Sequence, residues 1–174
     1  SKNKNSMSVL IVGSTALDSI KTPTAENPRL LGGSASHAAV AASFFAPVKL
    51  VGIVGKDFPK KYVQLYKKHG IDLEGLQIAD GKTFHWSGEY EVNMNNRRTL
   101  LTELGVFETF TPTLPSAHQS ARFVLLANIA PSLRAAQFAF RLEPVLPIVT
   151  GLSAPALVEF MSPARDVLRS HGRA

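Results

Sequence analysis

The chain has no cysteine among its 174 residues. That excludes a disulfide framework and a thiolate metal site, and it permits a reducing compartment. No apolar run approaches the roughly 20 residues that a membrane helix needs, so no membrane partner is expected. The short run Val9 to Val12, behind the polar stretch Ser1 to Ser6, falls short of the apolar region of a signal peptide. Cytoplasmic residence is therefore the expectation, with Met7 as a natural start and residues 1–6 a leader set aside from the fold.

Other absences narrow the function. The five histidines, His37, His69, His85, His118 and His171, show no HExxH-like spacing, so spacing alone suggests no metal site. Neither a GxxxxGK[ST] loop nor a GxGxxG loop is present, which removes the two glycine-rich phosphate cradles. No lysine follows Lys82, and the densest pairs, Lys60–Lys61 and Lys67–Lys68, share one amphipathic stretch. The formal charge of +6 thus reads as a solvated helix face, without the interleaved aromatics of a nucleic-acid surface. No nucleic-acid partner is expected.

What is present alternates strand and helix signals. Ser8 to Gly13 (SVLIVG) and Val48 to Val54 (VKLVGIV) are short, continuous apolar runs, the pattern of strands buried on both faces of a parallel sheet. Between them, Gly32-Gly33 open a run of small residues from Ser34 to Ser43, with Ser34 a candidate cap. Asp57 and Pro59 predict the start of a second helix, which His69-Gly70 should end. A further strand is expected near Leu76 to Ile78, and Arg122 to Ala127 returns to the buried-strand pattern.

Thr83 to Val92 and Arg98 to Leu104, joined by the turn-forming Asn93 to Arg97, predict two antiparallel strands. Together these elements argue an α/β fold in which helices flank a parallel sheet. Beyond Leu133 the pattern changes. Prolines stand at 144, 147, 155 and 163, and Pro163 interrupts an amphipathic stretch from Ala156 to Arg169.

Two local constellations could bind a ligand. Asp18 follows the first strand, where α/β folds bind ligands, and an ionised carboxylate accepts hydrogen bonds from two adjacent hydroxyls. Gly32-Gly33 would let a ligand approach the backbone at a helix N-terminus. Taken singly, each has a plainer reading, a turn aspartate capping its own backbone and a tight turn before a helix.

In order along the chain, VLIVGSTALDSI, LLGGSASHAAVAASF, VGIVGKDF and HGIDLEGL, followed by the two-stranded segment, resemble the N-terminal blocks of PfkB, or ribokinase-like, carbohydrate kinases. The resemblance covers roughly Met7 to Pro131. It implies a partial ribokinase-like domain over residues 7–132, with a small β lid at about 83–104, and leaves residues 133–174 as an atypical tail. A frameshifted, spliced or truncated reading frame is the expected origin of that tail, ahead of a divergent replacement domain.

The resemblance also implies that the acceptor, a sugar or nucleoside, meets Asp18, Gly32, Gly33 and Ser34, with His37 where the family usually has asparagine. Trp86 on the lid and Asn128 after the last sheet strand are further candidate contacts. Phe84 and Tyr90 could cover a sugar or pack in the lid. ATP and Mg2+ are the implied cofactors, yet the N-x-x-E and GAGD blocks that serve them in the family are absent from the sequence. The chain is accordingly expected to stop short of the ATP-binding half and to be inactive alone. A homodimer through the lid is the implied assembly.

Overall fold

The computed structural model describes residues 8–127 and 148–150. Nine strands, β1 (Val9–Gly13), β2 (Ala16–Lys21), β3 (Glu26–Gly32), β4 (Val48–Gly55), β5 (Asp72–Ala79), β6 (Phe84–Tyr90), β7 (Arg97–Glu103), β8 (Phe123–Ala127) and β9 (Ile148–Thr150), form two sheets with helices α1 (Ser34–Ser43) and α2 (Lys60–Lys68). The larger sheet is parallel throughout, in the order β5-β4-β1-β8-β9. The smaller has the order β3-β2-β6-β7 and mixes antiparallel and parallel pairs.

The apolar runs behave as their pattern dictates. Leu10, Ile11 and Val12 of β1 are all fully buried, because both faces of the parallel sheet are covered. On one face Ile11, Leu50 and Val54 meet Ala35 and Ala39 of α1 and Phe58, Tyr62 and Tyr66. On the other, Leu10, Val12, Val51 and Ile53 meet Phe110, Ala121 and the partly buried Val106 and Phe107. Both helices thus cover one face, and the segment between β7 and β8 covers the other. Each fully buried aliphatic side chain contributes about 1.5–3 kcal/mol relative to exposure.

Small residues set the approach of α1. Ser36 is fully buried, and Tyr66 Oη donates to its Oγ at 2.8 Å. Burial pushes the Tyr66 phenol up to about 12, against the pull of that hydrogen bond, so it stays a donor at neutral pH. Helix α2 ends where His69-Gly70 predicts. Gly70 takes φ 65, its amide donates to the Lys67 carbonyl at 3.0 Å, and Ile71 donates to the Tyr66 carbonyl at 3.1 Å, the paired bonds of a glycine-terminated helix.

Three expectations are corrected. Ser34 does not cap α1, since the cap position is Gly33, and the first-turn amide of Ser34 is met by the Ser14 hydroxyl instead. Asp57 does not start α2, which begins after Pro59 at the cap position; its carboxylate is bound elsewhere, as described below. The small sheet has four strands, because β2 and β3 join the expected pair β6 and β7. The Ala156–Arg169 stretch lies outside the described residues, whereas Ile148–Thr150 pairs in parallel with β8.

Candidate acceptor-binding site

The site forms where the chain leaves the C-terminal end of β1 and crosses into the small sheet. Asp18 lies within β2, not in a turn, and stands between Leu30 of β3 and Trp86 of β6 in the strand register. Its carboxylate rests against Gly32. A β-carbon there would stand 2.2 Å from Asp18 Cγ, so only glycine leaves the carboxylate its place. The next residue, Gly33, takes φ 90, and a side chain on it would meet the Ser14 carbonyl oxygen at 2.4 Å.

Gly33 turns the chain into α1, whose first turn carries Ser34 and His37. Burial raises the pKa of Asp18, and His37 and His85 oppose that rise. Asp18 is half-buried and His37 exposed, so a carboxylate with a disfavoured charge stands near the start of α1, within electrostatic reach of His37. Such a group is stabilised by donors from a ligand.

The helix N-terminus is already occupied in part. The Ser34 amide donates to Ser14 Oγ at 3.1 Å, the Ala35 amide donates to the Ser14 carbonyl at 3.0 Å, and the Ser14 and Ser34 hydroxyls are bonded at 3.1 Å. The amides expected to be open to a ligand at Ser34 and Ala35 are therefore satisfied within the chain.

The structure brings Asp18 and Gly32 into contact and places Gly33, Ser34 and His37 in the turn and first helical turn that follow, with His37 close enough to act on the Asp18 charge. Trp86 is beside Asp18 in register, but its indole lies over Gly88, where a β-carbon would stand 2.0 Å from the ring. Its Nε1 donates to Thr99 Oγ1 at 3.3 Å, and the exposed Arg97 lies over it at 5.4 Å. Phe84 stacks on Phe107 at 5.6 Å and belongs to the packing under the small sheet. Asn128 lies outside the described residues.

Sequence reasoning passed over three participants. His85 binds the Ser19 hydroxyl through Nε2 at 2.9 Å and lies 3.5 Å from Glu103 Oε2 through Nδ1. Ser14 supports the α1 turn. Asp57 accepts hydrogen bonds from the Thr83 amide at 2.8 Å and hydroxyl at 2.7 Å, and pairs with Arg29 at 3.0 Å. It thereby ties β3 and the start of β6 to the body. The only signal was the aspartate in VGxVGxDxF, which helix-start rules read as a cap.

The one cluster of three ligand-type side chains among the described residues, Asp72, Glu74 and His118, lies at the opposite end of the parallel strands, where β5 begins. No helix among the described residues is long and apolar enough to cross a membrane.

No family model matches the chain. A cytidine kinase from Thermococcus kodakarensis is 32% identical over 80 residues, 45% of this chain and 28% of that protein. The ribokinase from Cryptococcus neoformans var. grubii serotype A, solved with ADP, superimposes with a TM-score of 0.70 at 19% identity, covering 89% of this chain and 53% of that one. The nucleoside kinase of Methanocaldococcus jannaschii, an archaeal member of the ribokinase family, gives 0.66 at 20% identity, covering 88% and 57%. The fold is ribokinase-like, and this chain spans about half the length of those solved structures.

Proposed function

We propose that this chain carries the acceptor-binding portion of an ATP-dependent sugar or nucleoside kinase, and that the 174 residues alone bind the acceptor without phosphorylating it. The observation that carries the reading is the half-buried Asp18 carboxylate, set against Gly32 with its pKa raised by burial. Two adjacent hydroxyls of a ribose ring would supply the donors it lacks. The cytidine kinase similarity favours a nucleoside among acceptors.

Phosphoryl transfer needs a group that positions the nucleophile and donors that stabilise charge on the transferred phosphoryl. The family blocks with those roles are absent from this sequence. ATP and magnesium therefore belong to this reading as reactants of a complete kinase, and cytoplasmic residence goes with it. The assembly that suits it is a homodimer through the small sheet, where every residue of β7 is exposed and Leu100, Leu101 and Leu104 are 48%, 42% and 40% accessible.

The test is calorimetric titration of the purified chain with ribose, other sugars, and purine and pyrimidine nucleosides, alongside ADP release. Saturable binding of one acceptor, weakened in its 2′-deoxy form and lost in Asp18→Ala, with no ADP release, is expected. Binding of no acceptor would refute the site. Acceptor-dependent ADP release would refute the claim that the chain alone is inactive.

A further inference from the structure

At the end of the parallel sheet remote from Asp18, three side chains converge that the acceptor site does not use. Asp72 and Glu74 open β5, where the pairing with β4 shifts register between Lys49 and Val51. Three residues of β5 there span two of β4, a bulge of the kind that re-aims side chains. The third group is His118, the last residue of a short 3-10 helix, Ser116–His118. One ligand atom from each of the three lies within 4.8 Å of the others.

His118 singles the cluster out. Its side chain is fully buried, with Nε2 3.1 Å from Asp72 Oδ2, yet neither ring nitrogen makes a hydrogen bond of proper geometry. Buried polar atoms are nearly always satisfied, and an exception calls for a specific cause. Asp72 is oriented for the encounter, since its Oδ1 accepts the Glu74 amide at 2.9 Å and Oδ2 is left facing the imidazole. Lys49, beside Asp72 in register, is committed to the Ala117 carbonyl and the Ser120 hydroxyl.

We propose that Asp72, Glu74 and His118 bind a divalent transition-metal ion of the zinc type. Neutral imidazole nitrogen and carboxylate oxygens sit about 2.0–2.2 Å from such an ion, which places neighbouring ligand atoms about 3.4 Å apart. The 3.1 Å His118–Asp72 separation is near that spacing, and the exposed Glu74 can rotate to complete it. One nitrogen with two carboxylates suits zinc or its neighbours better than magnesium or calcium, which take all-oxygen shells. The ion would pin the 116–118 turn to the start of β5 and leave a coordination position for water.

The experiment titrates zinc into the chelator-stripped full chain against a chromophoric competitor, with thermal melting in parallel. One high-affinity ion per chain and a higher melting temperature are expected. Asp72→Asn and Glu74→Gln, both at exposed positions, should each weaken zinc by about tenfold or more while far-ultraviolet circular dichroism is unchanged. A His37→Ala/His85→Ala chain should bind zinc as the parent does, and millimolar magnesium should not compete. The proposal fails if zinc does not bind, if the two carboxylate variants bind it unchanged, or if binding is lost with His37 and His85 instead; the His118–Asp72 contact would then be an ion pair only.

Discussion

At Asp18 the burial that prepares a carboxylate for a ligand also works against the fold. Its folded-state pKa lies above the ordinary value of 3.8 because burial disfavours the charge. The cost is absent below that value, grows as pH rises through the folded pKa, and is full at neutral pH. Asp18→Asn should therefore raise the melting temperature at pH 7 by roughly 1–3 °C, with the gain vanishing below about pH 4, while acceptor binding is lost. Melting curves across pH check the first part and calorimetry the second; a neutral-pH loss of stability would show that Asp18 is a structural group.

Gly32 gives the complementary residue-scale prediction. An added β-carbon would overlap the Asp18 carboxylate, which can rotate away because it is the end of a side chain. Gly32→Ala should fold, with acceptor affinity falling about tenfold or more, since small misplacements of a positioning group have large effects. Titration beside circular dichroism separates loss of affinity from loss of fold.

Among the elements, the tie at Asp57 decides how the small sheet sits on the body. Burial raises its pKa, but hydrogen bonds from the Thr83 side chain and amide and from Arg29 outweigh that and leave it lowered. The stability it contributes is present above 3.8 and is lost as pH falls through the lowered folded value. The Arg29 pair is partly exposed and screened, so the Thr83 bonds carry most of the effect. Asp57→Ala should cost about 2 kcal/mol, read by urea denaturation, and hydrogen exchange should quicken at the start of β6 before it does in β1 or β4.

Arg29 shows why β2 and β3 escaped the sequence reading. It takes φ 55, a conformation uncommon for a non-glycine residue. The Tyr62 hydroxyl, 2.8 Å from its carbonyl, and Asp57 hold it there. Pro28, the charged flanks and a register shift between Asp18 and Ile20 break the alternation that marks a strand. Strand β2 pairs in parallel with β6, distant in sequence, and no local signal encodes such a pairing.

For the molecule as a whole, the small sheet presents an exposed outer strand, and unpaired edges invite pairing. If two copies meet there, light scattering should give a concentration-dependent dimer, and Leu101→Glu should shift it to monomer without lowering the melting temperature. A parent chain that is monomeric at every concentration would end that assignment.

The sequence by itself determined four strands of the parallel sheet, both helices and the glycine that ends α2, though not β9, because apolar period, small-residue runs and a φ 65 turn are properties of neighbouring residues. It also brought forward Asp18 and Gly32-Gly33, through the order of motifs. Only the tertiary structure decided that Asp18 lies in a strand, that Asp57 ties the small sheet instead of capping a helix, and that His118 meets Asp72. Those facts depend on residues 12 to 46 positions apart in sequence, brought together by burial and register, which no local pattern records.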